Sequence, residues 1–118
     1  MKYLVVDDSK LARLTLIKSL KTHIGDNAEI FQATNGEEAV DVMQNEKVNI
    51  VFLDLTMPIM DGYTALPKLL EINRSANIIV VSADIQQKAQ DIVIGLGAQL
   101  HVKKPINPDK MKEILDIL

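Results

Sequence analysis

The chain has 118 residues, and its 47% hydrophobic and 25% charged content is ordinary for one globular domain with its own core. A formal net charge of −3 and only 3% aromatic residues argue against a general nucleic-acid surface, and the lack of cysteine excludes disulfides and thiolate metal sites. The sequence has no signal-peptide pattern and no apolar run of membrane-spanning length, so we expect a soluble cytoplasmic protein without membrane or nucleic-acid contacts.

The first third of the chain predicts a strand, a helix and a second strand. A short β-branched run, residues 3–6, ends at Asp7, Asp8 and Ser9, which stop the strand and can cap a helix. The apolar residues that recur at helical spacing after this stop are Leu11, Leu14, Ile17, Leu20 and Ile24. Residues 28–33 then alternate between apolar and polar, which predicts a half-exposed second strand.

A second helix and a third strand follow, and the third strand ends in a carboxylate. Ala39, Val40 and Met43 give the helix its apolar face. Residues 49–53 form the third strand, whose continuous apolar run predicts burial on both faces of a parallel sheet. Because open α/β folds bind ligands at the carboxyl edge of the sheet, Asp54 is a candidate site residue.

The second half of the chain continues the alternation of strands and helices. Pro67 must lie in the first turn of the third helix or kink it, because proline has no N–H to donate. Residues 78–81 form a fourth strand that ends at Ser82, and residues 100–102 form a fifth strand closed by residues 103–105. The apolar faces of the last three helices are Ala65, Leu66, Leu69 and Leu70; Ile85, Ala89, Ile92, Val93 and Leu96; and Met111, Ile114, Leu115 and Leu118.

Five strands that alternate with five helices predict an α/β fold. Such alternation is typical of a parallel sheet covered by helices on both faces, with right-handed crossovers between the strands. The sequence contains no linker, repeat or low-complexity segment, so we expect a single domain over residues 1–118.

Charged and hydroxyl side chains gather at the predicted carboxyl edge of the sheet. The first strand ends in Asp7 and Asp8 and the third in Asp54, so three carboxylates meet if these strands pair. Such carboxylates repel one another, and a bound cation relieves the repulsion; ligation by oxygen alone favours Mg²⁺ or Mn²⁺. Lys104 adds a fixed positive charge and Ser82 a hydroxyl, a combination that suits the arrival of a phosphoryl group.

Each of these features also has a simpler explanation. Acidic residues such as Asp7 and Asp8 are favourable at a helix start, Asp54 and Ser82 can cap the helices that follow them, and Lys104 can lie in an exposed loop. The occurrence of all of them at strand ends favours the functional interpretation.

The residues and their order resemble the receiver domain of bacterial two-component response regulators, and the resemblance covers essentially the whole chain. The matching motifs are Asp7-Asp8, Asp54, Met57-Pro58, Met60-Asp61-Gly62, Ser82-Ala83 and Lys104-Pro105. The chain is most similar to stand-alone receivers of the chemotaxis type. The resemblance implies a flavodoxin-like, doubly wound (βα)5 fold with five parallel strands in the order 2-1-3-4-5, and a signalling domain rather than an enzyme.

The resemblance also implies a role for each site residue. Asp54 takes a phosphoryl group from a histidine kinase, Ser82 hydrogen-bonds a phosphoryl oxygen, and Lys104 pairs with the acceptor and then with the phosphoryl group. The implied ligands of Mg²⁺ or Mn²⁺ are Asp7, Asp8, Asp54 and the backbone carbonyl of Thr56. The Lys104–Pro105 bond is expected to be cis.

Three positions depart from the common receiver pattern. His101 stands where many receivers carry Tyr or Phe, and Ile106 stands where Phe is common. Thr56 lies near the path of the attacking water, at a position that influences the lifetime of the acyl phosphate in the family. We expect His101 to couple phosphorylation to a partner surface less tightly than an aromatic residue would, unless it stays on the surface of the fifth strand.

The expected partner surface lies on the fourth helix, the fifth strand and the fifth helix. Its predicted members are Gln86, Gln90, Gln99, His101, Lys103 and Lys110. The expected partners are a sensor histidine kinase or phosphotransfer protein and a downstream target protein, and the chain is expected to be a monomer or a weak dimer.

Rival interpretations from other classes explain the residues less well. A phosphatase of the haloacid dehalogenase type needs a second Asp two residues after its nucleophile, where this chain has Thr56. A flavodoxin-like cofactor binder needs a Ser/Thr/Gly-rich phosphate loop where this chain has Asp7 and Asp8. A receiver-shaped module that is never phosphorylated has no need of clustered carboxylates beside Lys104.

Three uses of a receiver remain open at this point. The chain can act as a diffusible messenger, as in chemotaxis, or as a phosphorelay intermediate that passes its phosphoryl group to another histidine. A receiver cut from a longer regulator with an output domain would have the same sequence features.

Overall fold

The computed structural model describes residues 1–118, in which five strands alternate with five helices. The strands are β1 (Lys2–Val6), β2 (Glu29–Ala33), β3 (Ile50–Leu53), β4 (Asn77–Ser82) and β5 (Leu100–Lys103), and the helices are α1 (Lys10–Lys21), α2 (Gly36–Asn45), α3 (Gly62–Ile72), α4 (Gln87–Gly95) and α5 (Pro108–Ile117). All strand pairs are parallel, and the sheet order is β2-β1-β3-β4-β5. The predicted fold class and strand order are confirmed.

The sheet separates two apolar layers because successive side chains of a strand point to opposite faces. Leu4, Val51 and Val80 belong to the layer that also contains the buried residues of α2 and α3. Val5 and Phe52 belong to the other layer, which contains the buried residues of α1 and α5. All four residues of β3 are buried, as its continuous apolar run predicted, whereas the edge strand β2 is mostly exposed or half-buried.

Helix α1 buries a different face from the one that the sequence indicated. Leu16, Ile17 and Leu20 pack against the sheet, whereas Leu11 is 77% exposed and Leu14 is 46% exposed. Leu11 precedes Leu20 by about two and a half helical turns, so the two side chains point to opposite sides of the helix. The predicted apolar stripe therefore mixed core residues with exposed ones.

The later helices show the same pattern in milder form. In α4, Ala89 and Val93 are buried, whereas Ile92 is exposed. Pro67 is the sixth residue of α3 and is exposed, so of the two predicted alternatives the structure leaves the interior position, where a proline can kink a helix. Its missing N–H lies on the solvent side of the helix, where water can satisfy the carbonyl that loses its partner.

The final helix buries Met111 and Ile114. No helix of the chain is long and apolar enough to cross a membrane.

Candidate functional site

The strand register brings the predicted site residues to one edge of the sheet. Val6 pairs with Leu53, so Asp7 and Asp54, the residues that follow them, emerge side by side from the two central strands. Ser82 ends β4, and the backbone N–H of Lys104 donates to its carbonyl at 3.0 Å. The loops after four neighbouring strands therefore meet at the carboxyl edge, where α/β sheets bind their ligands.

Three carboxylates lie together at this edge. Asp7, Asp8 and Asp54 each offer an oxygen, and the three oxygens lie within 4.8 Å of one another. Asp7 and Asp54 are buried, at 5% and 6% exposure, whereas Asp8 is exposed to solvent. The cluster therefore combines two fixed, desolvated acids with one acid that solvent reaches.

Lys104 partly neutralises the buried pair. Its Nζ lies 2.6 Å from Asp7 Oδ2 and 3.3 Å from Asp54 Oδ2. The other oxygens of the two carboxylates accept backbone hydrogen bonds of 2.9 Å, Asp7 Oδ1 from Ser9 N and Asp54 Oδ1 from Leu55 N. The Lys104–Pro105 peptide bond is cis, as the resemblance implied.

The electrostatics of the site leave Asp54 in an unfavourable environment. Burial, followed by the negative charge of Asp7, raises the pKa of Asp54 above its usual value, and Lys104 and the Leu55 N–H only partly oppose this. Burial lowers the pKa of Lys104, but the hydrogen bond to Asp7 and the charges of Asp54 and Asp7 together raise it above its usual value. Lys104 therefore stays charged while the acids remain incompletely compensated.

A divalent cation fits this donor set. Three carboxylates against one ammonium leave a formal charge of −2, and the side-chain ligand atoms of the cluster are all carboxylate oxygens. Hard cations such as Mg²⁺ and Mn²⁺ prefer such ligands. The side chain of Asp8, which is exposed, makes no hydrogen bond within the chain and is free to bind a cation.

The loop that follows Asp54 explains why the sequence needs glycine at position 62. Gly62 N donates to Leu55 O at 2.9 Å, which draws the start of α3 against the end of β3. A Cβ at position 62 would lie 2.1 Å from the Asp54 carbonyl oxygen, a backbone atom that cannot move aside. Asp61 caps α3 by accepting from Thr64 N. This close approach fixes the backbone of the predicted acceptor.

The same loop carries two further features. Thr56 is exposed and lies two residues after Asp54 in the chain. Ile59 has φ of 68°, and Met60 N donates to Pro58 O at 2.7 Å, so the chain reverses tightly around an isoleucine that is 77% exposed.

The remaining switch residues lie on β4 and β5. Ser82 is 4% exposed, and its hydroxyl accepts a hydrogen bond from Asp84 N at 3.1 Å. His101 pairs with Val80 in the sheet register and is partly buried, and neither ring nitrogen has a hydrogen-bond partner. The two ring nitrogens of His101 are therefore covered by neighbouring residues, although part of the residue is reached by solvent.

The predicted partner surface is only partly contiguous. Gln90, His101, Lys103 and Lys110 line one cleft of about 470 Å³ between α4, β5 and the start of α5. Gln86 is exposed in the loop before α4. Gln99 belongs to a different cavity, lined also by Arg74 and Ser75, because it precedes β5 and therefore lies at the opposite edge of the sheet. Gln99 therefore does not share the cleft lined by the other members, and its place in the partner surface stays a prediction.

Sequence reasoning missed two features near the site. Arg13 donates from Nη1 to the Asp7 backbone carbonyl at 2.8 Å and from Nε to Gln32 Oε1 at 2.9 Å. A cleft of about 240 Å³ with mainly apolar walls also opens beside Asp7 and Lys104, lined in part by Leu11 and Pro105. Neither feature has a signature in the sequence, because the Arg13 bond is to a backbone carbonyl and the cleft is lined by segments that are far apart in the chain.

Comparison with known proteins gives a consistent result. Residues 3–116 match the family model described as the response regulator receiver domain. The chemotaxis protein CheY of Thermotoga maritima is 36% identical over 115 residues, which cover 98% of this chain and 94% of the relative. Sporulation initiation phosphotransferase F of Bacillus subtilis is 30% identical over 116 residues, which cover 95% of this chain and 88% of the relative.

Solved structures share the fold along almost the whole chain. The crystal structure of a CheX–CheY–BeF3–Mg²⁺ complex from Borrelia burgdorferi contains a chain that superposes with a TM-score of 0.88 at 29% identity, covering 99% of this chain and 88% of that one. A CheY-like receiver domain from Methanospirillum hungatei superposes with a TM-score of 0.87 at 22% identity, covering 98% and 90% of the two chains, and this likeness shows the fold alone.

Proposed function

Because the chain belongs to the response regulator receiver family and is a signalling domain of the CheY type, we propose that Asp54 is its phosphoacceptor. The observation that carries this proposal is the cluster of Asp7, Asp8 and Asp54 at the carboxyl edge of a parallel sheet, with the Lys104 ammonium bridging Asp7 and Asp54. Asp54 is the member of the cluster that ends the central strand, is buried, and has its carboxylate oriented by both Lys104 and the Leu55 N–H. We propose further that residues 1–118 act as one such domain.

In the proposed reaction, a carboxylate oxygen of Asp54 attacks the phosphorus of a phosphohistidine. The new O–P bond forms as the P–N bond breaks, and the imidazole leaves with the electron pair of that bond. A divalent cation supplies positive charge that offsets the charge of the phosphoryl oxygens. Asp7, Asp8, Asp54 and the Thr56 carbonyl would hold it, while Lys104, 3.3 Å from Asp54, is placed to pair with a phosphoryl oxygen.

Two hydroxyl residues complete the proposed chemistry. Ser82 is buried at the end of β4, and its hydroxyl can donate to a phosphoryl oxygen while it accepts from Asp84 N. Thr56 is exposed beside the acceptor, so its side chain borders the route by which water reaches the acyl phosphate. We propose that self-dephosphorylation occurs by this route and that Thr56 influences its rate.

The proposed partners follow from the family. A histidine kinase or a phosphotransfer protein donates the phosphoryl group, and a target protein recognises the phosphorylated form at the cleft lined by Gln90, His101, Lys103 and Lys110. The CheY relatives favour a role in chemotaxis and a cytoplasmic location. The relative named a sporulation phosphotransferase supports the second candidate, a phosphorelay intermediate.

Treatment with acetyl phosphate and Mg²⁺ followed by intact mass measurement tests the acceptor. We expect one added phosphoryl mass in the wild type, and none after EDTA treatment or in Asp54→Asn. Asp26→Asn is the matched control, because Asp26 is exposed and is distant in sequence from the three acids of the cluster. A phosphoryl group that still forms in Asp54→Asn would overturn the assignment.

A further inference from the structure

We propose that Arg13 is a positioning residue for the divalent-cation site, because its side chain holds the peptide group that precedes Asp8. The inference rests on the proposed function, in which Asp8 is a ligand of the cation. It concerns a residue of α1 whose side chain does not itself contact the acid cluster but binds the loop that carries two of its members.

The Arg13 side chain binds the peptide group that precedes Asp8. Its guanidinium donates from Nη1 to the carbonyl of Asp7 at 2.8 Å. The peptide group that follows Asp8 is held by Asp7 itself, because Ser9 N donates to Asp7 Oδ1 at 2.9 Å. Since the Asp8 carboxylate is exposed and unbonded, its direction depends on this backbone.

The Arg13 side chain is also bound to a residue of the sheet. Arg13 Nε donates to Gln32 Oε1 at 2.9 Å, and Gln32 is a residue of β2, the strand beside β1. The backbone of Asp7 is tied to the same strand, because Asp7 N donates to Ala33 O at 3.1 Å. Arg13 thus connects α1, the loop after β1 and the neighbouring strand, and holds the loop in the form that carries Asp8 toward Asp7 and Asp54.

The positive charge of Arg13 acts on Glu38, which is not a member of the acid cluster. Hydrogen bonds from Thr34, and to a smaller extent the charge of Arg13, lower the pKa of Glu38. The Arg13 side chain forms no ion pair with Asp7, Asp8 or Asp54, whereas Lys104 pairs with Asp7 and Asp54. Arg13 therefore acts on the site through a backbone carbonyl rather than by neutralising a carboxylate.

Whether Arg13 acts through its charge or by positioning Asp8 determines whether its removal strengthens or weakens the binding of the cation. Arg13 is a cation, so if charge alone mattered, its removal would strengthen the binding of a second cation nearby. If Arg13 positions Asp8, its removal must weaken binding, because a mobile ligand has to be ordered when the cation binds. Losing such an outer contact typically weakens metal affinity by about tenfold or more.

The test is calorimetric titration of the intact chain with Mg²⁺. We expect the Kd to rise by about tenfold in Arg13→Ala and to stay unchanged in Arg74→Ala. Arg74 is the only other arginine and is exposed, so its variant controls for the loss of one positive charge. Arg13→Lys keeps the charge but replaces the planar fork by a single ammonium on a different stem, so it does not reproduce the paired bonds to the Asp7 carbonyl and Gln32, and we expect an intermediate Kd.

A second readout separates positioning from a general structural role. With acetyl phosphate as donor, Arg13→Ala should need more Mg²⁺ for half-maximal phosphorylation yet reach nearly the wild-type rate at saturating Mg²⁺. A merely structural role would lower the melting temperature without changing the Kd of the folded protein. If Arg13→Ala does not fold, Gln32→Ala removes the anchor at an exposed position and should raise the Kd in the same direction.

The outcomes are distinguishable from those of the proposed function. A wild-type chain that binds no Mg²⁺ overturns the proposed site and this inference with it. A wild-type chain that binds Mg²⁺, together with Arg13→Ala and Gln32→Ala variants that bind it equally well or more tightly, overturns the role of Arg13 alone.

Discussion

At the scale of single residues, the site holds negative charge that the fold does not fully compensate. Asp7 and Asp54 are buried next to each other, and Lys104 is shared between them. The raised pKa of Asp54 means that the folded protein binds a proton at this carboxylate more readily than the unfolded chain does. Ionised Asp54 therefore makes an unfavourable contribution to folding at neutral pH.

We expect Asp54→Asn to melt a few degrees above the wild type at pH 7 in EDTA, because asparagine removes the charge and can still accept from Leu55 N. The unfavourable contribution is complete above the raised pKa of the folded state and absent below the ordinary carboxyl pKa of about 3.9. The difference between the two proteins should therefore shrink as the pH falls through that window.

Thermal melts between pH 3 and pH 7 measure this effect. Asp26→Asn, at an exposed position, should follow the wild type across the range. The prediction fails if Asp54→Asn melts at or below the wild-type temperature at pH 7.

At the scale of elements, the close contact between the end of β3 and the start of α3 determines where Asp54 sits. Gly62 packs directly against the Asp54 carbonyl oxygen, and its N–H donates to Leu55 O. A side chain at position 62 therefore has no space. We expect Gly62→Ala to destabilise the protein by about 1–3 kcal/mol, the usual cost of forcing an atom into a packed site. It should also slow phosphorylation, because the backbone that must move carries the acceptor.

Gly95→Ala is the matched control for Gly62→Ala. Gly95 ends α4 with nothing within 4 Å of an added Cβ, so alanine should be neutral or stabilise the helix by up to about 1 kcal/mol. Urea unfolding of both variants gives the comparison. Equal stability of the two variants would mean that the β3–α3 contact is looser than the structure indicates.

The elements themselves were largely predictable from the sequence, and the faces of the helices were not. The continuous apolar run of β3 predicted a strand buried on both faces, and the alternation of β2 predicted a half-exposed strand. In α1 the spacing of Leu11 and Leu14 indicated a helix but not its buried side, since Leu16 and Ile17 compete for the core. Local spacing cannot decide which side the sheet will cover.

Some residues of the candidate site were likewise predictable from the sequence, and others were not. Asp7, Asp54, Ser82 and Lys104 were predictable because each ends a strand, and the parallel order brings strand ends together. Arg13 was not, because its role depends on a backbone carbonyl, which every residue has and no sequence pattern marks.

At the scale of the whole molecule, the site is linked to the proposed partner surface through β4 and β5. Lys104 N donates to Ser82 O, and His101 lies two strand positions before Lys103, the register partner of Ser82. A phosphoryl group on Asp54 would draw the Ser82 hydroxyl toward it and alter the packing around His101, whose nitrogens have no partners in the structure.

We expect acetyl phosphate and Mg²⁺ to shift the NMR signals of Ser82, His101 and α4, and Asp54→Asn to abolish all of these shifts. Ser82→Ala should keep the shifts around Asp54 and reduce those at His101 and α4, because the link through the hydroxyl is lost. Shifts confined to the surroundings of Asp54 in the wild type would mean that the signal leaves by another face.

The strand order also determines when the site can exist during synthesis. Asp7, Asp8 and Asp54 precede Lys104 in the sequence, so the acids leave the ribosome before the ammonium does. Strand β1 cannot pair with β3 until residues 50–53 have been made, and pairings distant in sequence form slowly. A nascent chain that has not yet acquired β5 therefore holds its acids without their ammonium, and only a chain that has formed β5 and the loop after it can receive a signal.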